Sequence, residues 1–242
     1  MNTRKLVFAC VFGLLVTLLV ASPTLAGWIR PSYGQAPQTN SIGTCASCSE
    51  CSTMLASGSY AVVRLTTDII NQGGSCVAII LGESNATFDC DGHVVDGDDI
   101  AIDPDYGIVM LHGSNNSVLN CTVSDFYGGI YIGDATNHTV TNSVMRSNGV
   151  GLKLQLAGGS TISGNTMEEN YTGISFYMAD GNTLTDNRVC NNIITDFDVA
   201  SSCGNAGSAN QCNIPDGWND DSTTGCTYPC WTCWTHLPLI AR

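Results

Sequence analysis

Four segments of this chain repeat one short phrase at a fixed interval. Gly107-Ile108-Val109-Met110, Gly129-Ile130-Tyr131-Ile132, Gly151-Leu152-Lys153-Leu154 and Gly173-Ile174-Ser175-Phe176 follow one another every 22 residues. Ten residues past each Ile or Leu of that set stands another apolar residue (Val118, Val140, Ile162, Leu184), and five further on come Val123, Met145, Met167 and Val189. Within each unit apolar and polar residues alternate over short pieces, the period of a strand with one buried face, and Gly, Asn and Asp separate the pieces as turn formers do. A unit this small cannot bury its own apolar face, so units must stack, strand on equivalent strand. Equal spacing with stacking in one direction predicts an all-β chain folded as a parallel β-helix, a single-stranded solenoid of about 22 residues per coil.

The pattern runs past the four clean units. Residues 85–93, NATFDCDGH, match the second strand one coil earlier, with residues 97–105 looping out before Tyr106. Residues 60–69 read as a first strand under the stack, and Asp196-Phe197-Asp198-Val199 as a last inner strand displaced by one residue. Asparagine recurs in register at 148, 170 and 192, and at 165 and 187. Asn accepts left-handed backbone at low cost, and its amide can bond along a stack, so these are expected in turns and in ladders between coils.

On these residues the chain from about 57 to 200 resembles right-handed parallel β-helix repeat proteins of the pectin-lyase-like superfamily, in particular the secreted group with NosD-like repeats. The motifs that carry the resemblance are NATFDCDGHVVDG, the four Gly-led strands, TISGNTM, TLTDNRVCNN and the cysteine-rich close CNIPDGWNDDSTTGCTYPC. The resemblance implies the right-handed fold. It implies no one activity, because the superfamily hosts lyases, hydrolases, epimerases, adhesins and proteins without known chemistry. The copper associated with NosD is not carried over, since Met110, Met145 and Met167 fall in inward registers and Met178 alone lies just outside.

The ends set the compartment. Arg4 and Lys5, an apolar run from Leu6 to about Ala21 and Thr24-Leu25-Ala26 read as a signal peptide over 1–26, which leaves no membrane span in the mature chain. The expected organisation is a Cys-rich N-terminal segment over 27–56, the β-helix over 57–202 and a Cys-rich tail over 203–242. A formal net charge of −13 argues against nucleic acid, which needs clustered Lys and Arg. Apart from Cys10 in the leader, twelve cysteines remain, an even number in an exported chain: Cys45, Cys48, Cys51, Cys76, Cys90, Cys121, Cys190, Cys203, Cys212, Cys226, Cys230 and Cys233. Disulfides that cap the ends are expected in preference to a thiolate metal site. Connectivity stays open, though Cys76, Cys90 and Cys121 sit about one coil apart, and a strand spacing of about 4.8 Å suits a disulfide.

Enzymes of the superfamily bind substrate along the outer face of the first strand of each coil, and the resemblance directs attention there. Outward residues on that face are Val109, Tyr131, Lys153 and Ser175, then Leu111, Gly133, Gln155 and Tyr177, with His112 and Asp134 at the following turn. Tyrosine rings stack on sugars, while Lys, His, Asp and Gln bind hydroxyls, so His112, Tyr131, Asp134, Lys153, Gln155 and Tyr177 form a candidate glycan-binding strip. Hydrolysis needs two carboxylates at a set separation, and the strip offers one, so binding of a polysaccharide or cell-surface glycan is expected, with a polysaccharide-active enzyme (lyase, hydrolase or epimerase) on the same face and a purely structural or adhesive solenoid as the alternatives. Asp96, Asp98, Asp99, Asp103 and Asp105 are the one dense carboxylate group, a calcium candidate outside any EF-hand spacing. No other cofactor is expected. The second strands show an outward Thr/Ser ladder (Thr139, Thr141, Thr161, Ser163, Thr183, Thr185), and five Asn-x-Ser/Thr sequons begin at Asn85, Asn115, Asn120, Asn137 and Asn170.

Overall fold

A computed structural model describes residues 41–80, 84–98 and 104–230. The expected signal peptide, residues 27–40 of the Cys-rich N-terminal segment, Asp99, Asp103 and Cys233 lie outside the described residues. The chain forms a right-handed parallel β-helix of about seven turns. Each regular coil has one strand of six residues and two of three, as in Gly128–Gly133, Thr139–Thr141 and Val144–Arg146. Equivalent strands stack into three parallel sheets of six, eight and six strands.

The 22-residue register holds residue for residue. Ile108, Ile130, Leu152 and Ile174 pair in succession, as do Val118, Val140, Ile162 and Leu184, and then Val123, Met145, Met167 and Val189. These side chains, Met110 included, are fully buried and form one continuous core. Phe197 pairs with Ile174, which confirms the one-residue displacement of the last long strand. The stack is longer than the repeat spacing alone implies, because Ile42–Cys45 and Ala206–Ser208 add outer rungs to one sheet only, outside any full coil.

The Gly-led phrase has a packing cause. A Cβ on Gly151 would stand 2.7 Å from the carbonyl oxygen of Gly173 and 2.9 Å from Nδ2 of Asn170, and Gly129 meets the same pair of groups one coil earlier. The strand enters the coil so close to the next coil's backbone that any side chain is excluded.

Asparagine ladders tie the corners. Asn148 N–H donates to Asn170 Oδ1 at 3.0 Å, Asn170 to Asn192 at 3.1 Å, Asn165 to Asn187 at 3.1 Å and Asn187 to Asn210 at 3.0 Å. Each Nδ2 also returns a bond to a carbonyl of the coil before, as Asn170 does to Met145 O at 2.9 Å. These buried amides are thereby satisfied, which is what allows a polar group inside a solenoid. The ladder residues are not themselves left-handed. That conformation falls on the residue before each, Ser147, Gly164, Glu169, Asp186 and Asn191, which turns the corner so that the asparagine points inward.

Both ends are closed. At the N-terminal end the helix Cys48–Ala56 buries Cys51 and Leu55; the N-cap Ser47 accepts from Glu50 N–H, and Glu50 Oε2 accepts from Ala46 N–H, one residue before the cap. Cys45–Cys51 and Cys48–Cys76 fasten it. At the C-terminal end Trp218 stacks on Phe197 and Phe176, with centroids 5.0 and 5.6 Å apart, and Cys190–Cys230 and Cys212–Cys226 hold the segment that carries it. Cys90–Cys121 joins adjacent coils. Cys203 is exposed on the last long-strand turn.

Candidate functional site

The long-strand sheet shows water a face in strict register. Val109, Tyr131, Lys153, Ser175 and Asp198 stand in one column and Leu111, Gly133, Gln155, Tyr177 and Ala200 in the next, but Val109 and Gly133, expected to face outward, are buried, the latter beneath the Tyr131 ring. Asp198 is a carboxylate that the sequence reading assigned to an inner strand without noting its outward register.

Within the first column Tyr131 is flanked along the axis. The Tyr106 ring, from the coil before, stacks on it at 4.7 Å with the planes 22° apart, and Lys153 Nζ, from the coil after, stands 5.7 Å from its centroid. Tyr127 meets Tyr106 edge-on at 6.0 Å. Gly128 makes this possible, because a Cβ there would stand 2.5 Å from the Tyr106 ring. Tyr106 and Tyr127 were missed by the sequence reading. The signal was present, since Tyr106 begins a strand whose equivalent in the next coil is a glycine.

The flanking changes what the strip offers. Tyr131 presents its edge and hydroxyl, so sugar stacking through a ring face falls to Tyr177, which is 44% exposed. Burial pushes the Tyr106 phenol up to about 12, with Tyr127, Tyr131 and Asp105 adding to it. Burial and the nearby Asp134 raise Tyr131 as well. Both phenols therefore act as neutral hydrogen-bonding groups at ordinary pH.

His112 and Asp134 are brought together. Nδ1 of His112 lies 2.9 Å from Asp134 Oδ2, and both sit in left-handed turns one coil apart at the end of the long strand. Lys153 and Gln155 are half-buried on the same sheet, one coil on. Asp198 stands three rungs beyond the coil that carries both Tyr131 and Asp134, about 14 Å along the axis at the usual strand spacing. That exceeds the roughly 5–9.5 Å that paired carboxylates keep in glycoside hydrolysis.

Of the acidic group, Asp96, Asp98 and Asp105 are described, and Asp99 and Asp103 lie outside the described residues. Asp96 Oδ1 accepts from Ser124 Oγ at 2.6 Å, and the buried Asp105 accepts from Tyr127 N–H at 2.9 Å, so both are structural. A shallow depression of about 460 Å³ lies at the N-terminal cap between Thr44, Glu50, Met54 and Tyr60, away from the strip.

The profile of the family described as periplasmic copper-binding protein (NosD) matches residues 53–211, most of the solenoid. The chain belongs to the NosD family. Among solved structures this NosD-family chain is similar to the alginate lyase of Paenibacillus sp. str. FPU-7, at 13% identity and a TM-score of 0.57, over 73% of this chain and 67% of that one. It is also matched to the mannuronan C-5 epimerase A-module of Azotobacter vinelandii, at 12% identity over 79% of both chains, with a TM-score of 0.24 that carries no argument. The first likeness shows the fold alone. No curated protein matches.

The family description raises copper, and the donors among the described residues of this NosD-family chain do not fit it. Soft metals take thiolate, thioether and imidazole ligands. Met110, Met145 and Met167 are core, and ten cysteines are spent in disulfides. His93 and His112 each engage an aspartate. Among the described residues no three His, Cys, Asp or Glu side chains converge.

Proposed function

We propose that this protein is a secreted, extracytoplasmic β-helix that binds a glycan chain along the exposed long-strand face, without cleaving it. Five disulfides among the described residues and the periplasmic family support an oxidising compartment, and the leader-like first 26 residues support export. Among the described residues no helix is long and apolar enough to cross a membrane.

The observation that carries the reading is the Tyr106–Tyr131–Lys153 stack. Three long side chains hold one another, Tyr131 and Lys153 in register and Tyr106 leaning in from the Gly128 column, so their hydroxyl and ammonium groups are fixed before any ligand arrives, which lowers the entropic cost of binding. His112 and Asp134 continue the polar edge, Gln155 adds an amide, and Tyr177 supplies a free ring face. A sugar chain needs this mixture of fixed hydrogen-bonding groups and one aromatic surface. The distance from Asp134 to the next carboxylate on the face favours binding over hydrolysis.

The test is a glycan-array screen of the oxidised protein over neutral, acidic and chitin-like glycans, with and without calcium, followed by product analysis of every hit. The expected result is binding without product, weakened at least tenfold by Tyr131→Ala with Lys153→Ala. Silence across the array refutes the reading, and product release makes the face an active site instead.

A further inference from the structure

His138 is wholly buried, in a column that other coils fill with Asn116, Ser160, Asn182 and Asn205. Each member accepts the backbone N–H of the residue one coil before. Asn116 Oδ1 takes Ala86 N–H at 2.9 Å, His138 Nδ1 takes Asn116 N–H at 3.1 Å, Ser160 Oγ takes His138 N–H at 3.3 Å, and Asn182 Oδ1 takes Ser160 N–H at 2.9 Å. The asparagines add a second bond, from Asn182 Nδ2 to Ala157 O at 3.1 Å and from Asn205 Nδ2 to Ala179 O at 2.8 Å. His138 has only Nε2 for that purpose, and Nε2 has no partner.

An accepting Nδ1 fixes the neutral tautomer with its proton on Nε2. A second proton must then go to Nδ1, where it would face the Asn116 N–H, donor against donor, and put a charge in a dry interior. The rung at stake joins residues 112–116 to residues 134–138. Backbone bonds beside it run from His112 N–H to Gly133 O, Asn115 N–H to Thr136 O and Thr136 N–H to Gly113 O, all at 3.2 Å, and from Thr139 N–H to Asn116 O at 2.9 Å. The same two turns carry His112 and Asp134.

We propose that His138 is an acid-sensitive latch: protonation at Nδ1 breaks the Asn116 rung and frees the two turns that hold His112 against Asp134. The effect on a bound glycan rests on the function proposed above, whereas the latch does not.

The charge environment is simple. Asn116 and Ser160, its neighbours in the column, do not titrate. His112 and Asp134, the titratable groups of the two turns, pair with each other at the surface. Burial alone pushes His138 down, to about 4. With the folded value below the unfolded 6.5, the latch contributes its full stability above 6.5 and loses it as pH falls from there toward 4.

The test is amide exchange of the full-length oxidised protein at pH 7 and pH 4, followed residue by residue. The Asn116 amide is compared with the Ser160 amide, which serves as an internal reference. In the wild type, protection at Asn116 should fall at least tenfold relative to Ser160 on acidification. In His138→Asn, which restores the side chain used by other rungs, it should not fall. His138→Ser, the Ser160 solution, is the second variant if the first misfolds. Equal protection at both pH values overturns the latch, as does the same loss in the variants or an imidazole that titrates near 6.5 with the rung intact. Where a glycan hit exists, its release at pH 4 should require His138. If no glycan binds, the function fails and the exchange result still decides the latch.

Discussion

Asn210 donates both its backbone N–H and its Nδ2 to the carboxylate of Asp220, at 3.0 and 2.6 Å, and so ends the ladder that runs up from Asn165 through Asn187. Trp218 Nε1 donates to the same group at 3.0 Å, and Thr227 donates through N–H at 2.8 Å and Oγ1 at 2.7 Å. A ladder of amides always leaves one unpaired N–H pair at its end, and an acceptor-only group is the side chain that finishes it. Asp196 does the same for the other asparagine ladder, accepting from Asn192 Nδ2 at 2.9 Å.

Asp220→Ala leaves five donors without that acceptor, three of them on the buried Asn210 and Trp218, and should cost about 3 kcal/mol or more, read as a shift of the denaturant midpoint. The donors hold the carboxyl below its ordinary 3.8 against the opposing effect of burial. A depressed folded value means that this stability is present above 3.8 and disappears as pH falls through the lower folded value. Acid unfolding of the wild type should therefore steepen below pH 4, and that step should be missing from the variant.

Gly173→Ala should be among the most damaging small substitutions in the chain. Its Cβ would meet the Asp196 carbonyl oxygen at 2.5 Å and Asn192 Nδ2 at 2.7 Å, backbone and ladder groups that cannot step aside. A loss of about 3 kcal/mol is expected by thermal or urea unfolding. Gly181→Ala, where no atom lies within 4 Å of the added carbon, should cost only the strain of its left-handed backbone, about 1 kcal/mol.

The sequons divide by burial. Asn170 is fully buried with its amide in the ladder, and Asn120 Nδ2 donates to Asp89 at 3.0 Å, while Asn85, Asn115 and Asn137 are exposed at one corner of successive coils. Secretion from a glycosylating host should place N-glycan on members of the exposed column and none on Asn170. Intact-glycopeptide mass spectrometry checks it, and a modified Asn170 would mean that the last coils do not close before modification.

The Cys190–Cys230 bridge closes a loop of sequence separation 40, and chain entropy assigns such a loop about 4 kcal/mol. Cys190→Ser with Cys230→Ser should lower stability by an amount of that order. It should also expose Trp218, which the tethered segment presses onto Phe197, as a red shift in its fluorescence.

How far the sequence could be read depends on what each residue's position determines. Ile108, Ile130, Leu152 and Ile174 were legible because the period of a stack is the spacing of its buried residues. The asparagine ladders were legible as a column, but the left-handed turns fell one residue earlier, on Ser147 and Glu169, whose identities do not announce that conformation. His138 was invisible, since a 22-residue column that admits Asn, Ser and His has no single signature. Tyr131 and Lys153 were correctly placed on one face, yet which ring surface stays open depends on Tyr106 leaning across Gly128, a three-dimensional relation between coils. The disulfide partners of Cys48 and Cys190 lie far off in sequence and could not be chosen from spacing.

Tyr106 gives the strip a spectroscopic handle. Its phenol is held up to about 12 by burial, so the folded state favours the neutral form while an unfolded chain ionises near 10. Stability should fall as pH rises from 10 toward 12, and an ultraviolet titration should show a late ionisation step that belongs to Tyr106. Tyr106→Phe should remove the latest step without unfolding the coil, because the ring still stacks on Tyr131. If the wild type lacks a late step, the stack is open to water and the preorganised edge on which glycan binding depends is absent. If the late step is present and shifts upward when a glycan is added, the ligand lies over Tyr106 and Tyr131.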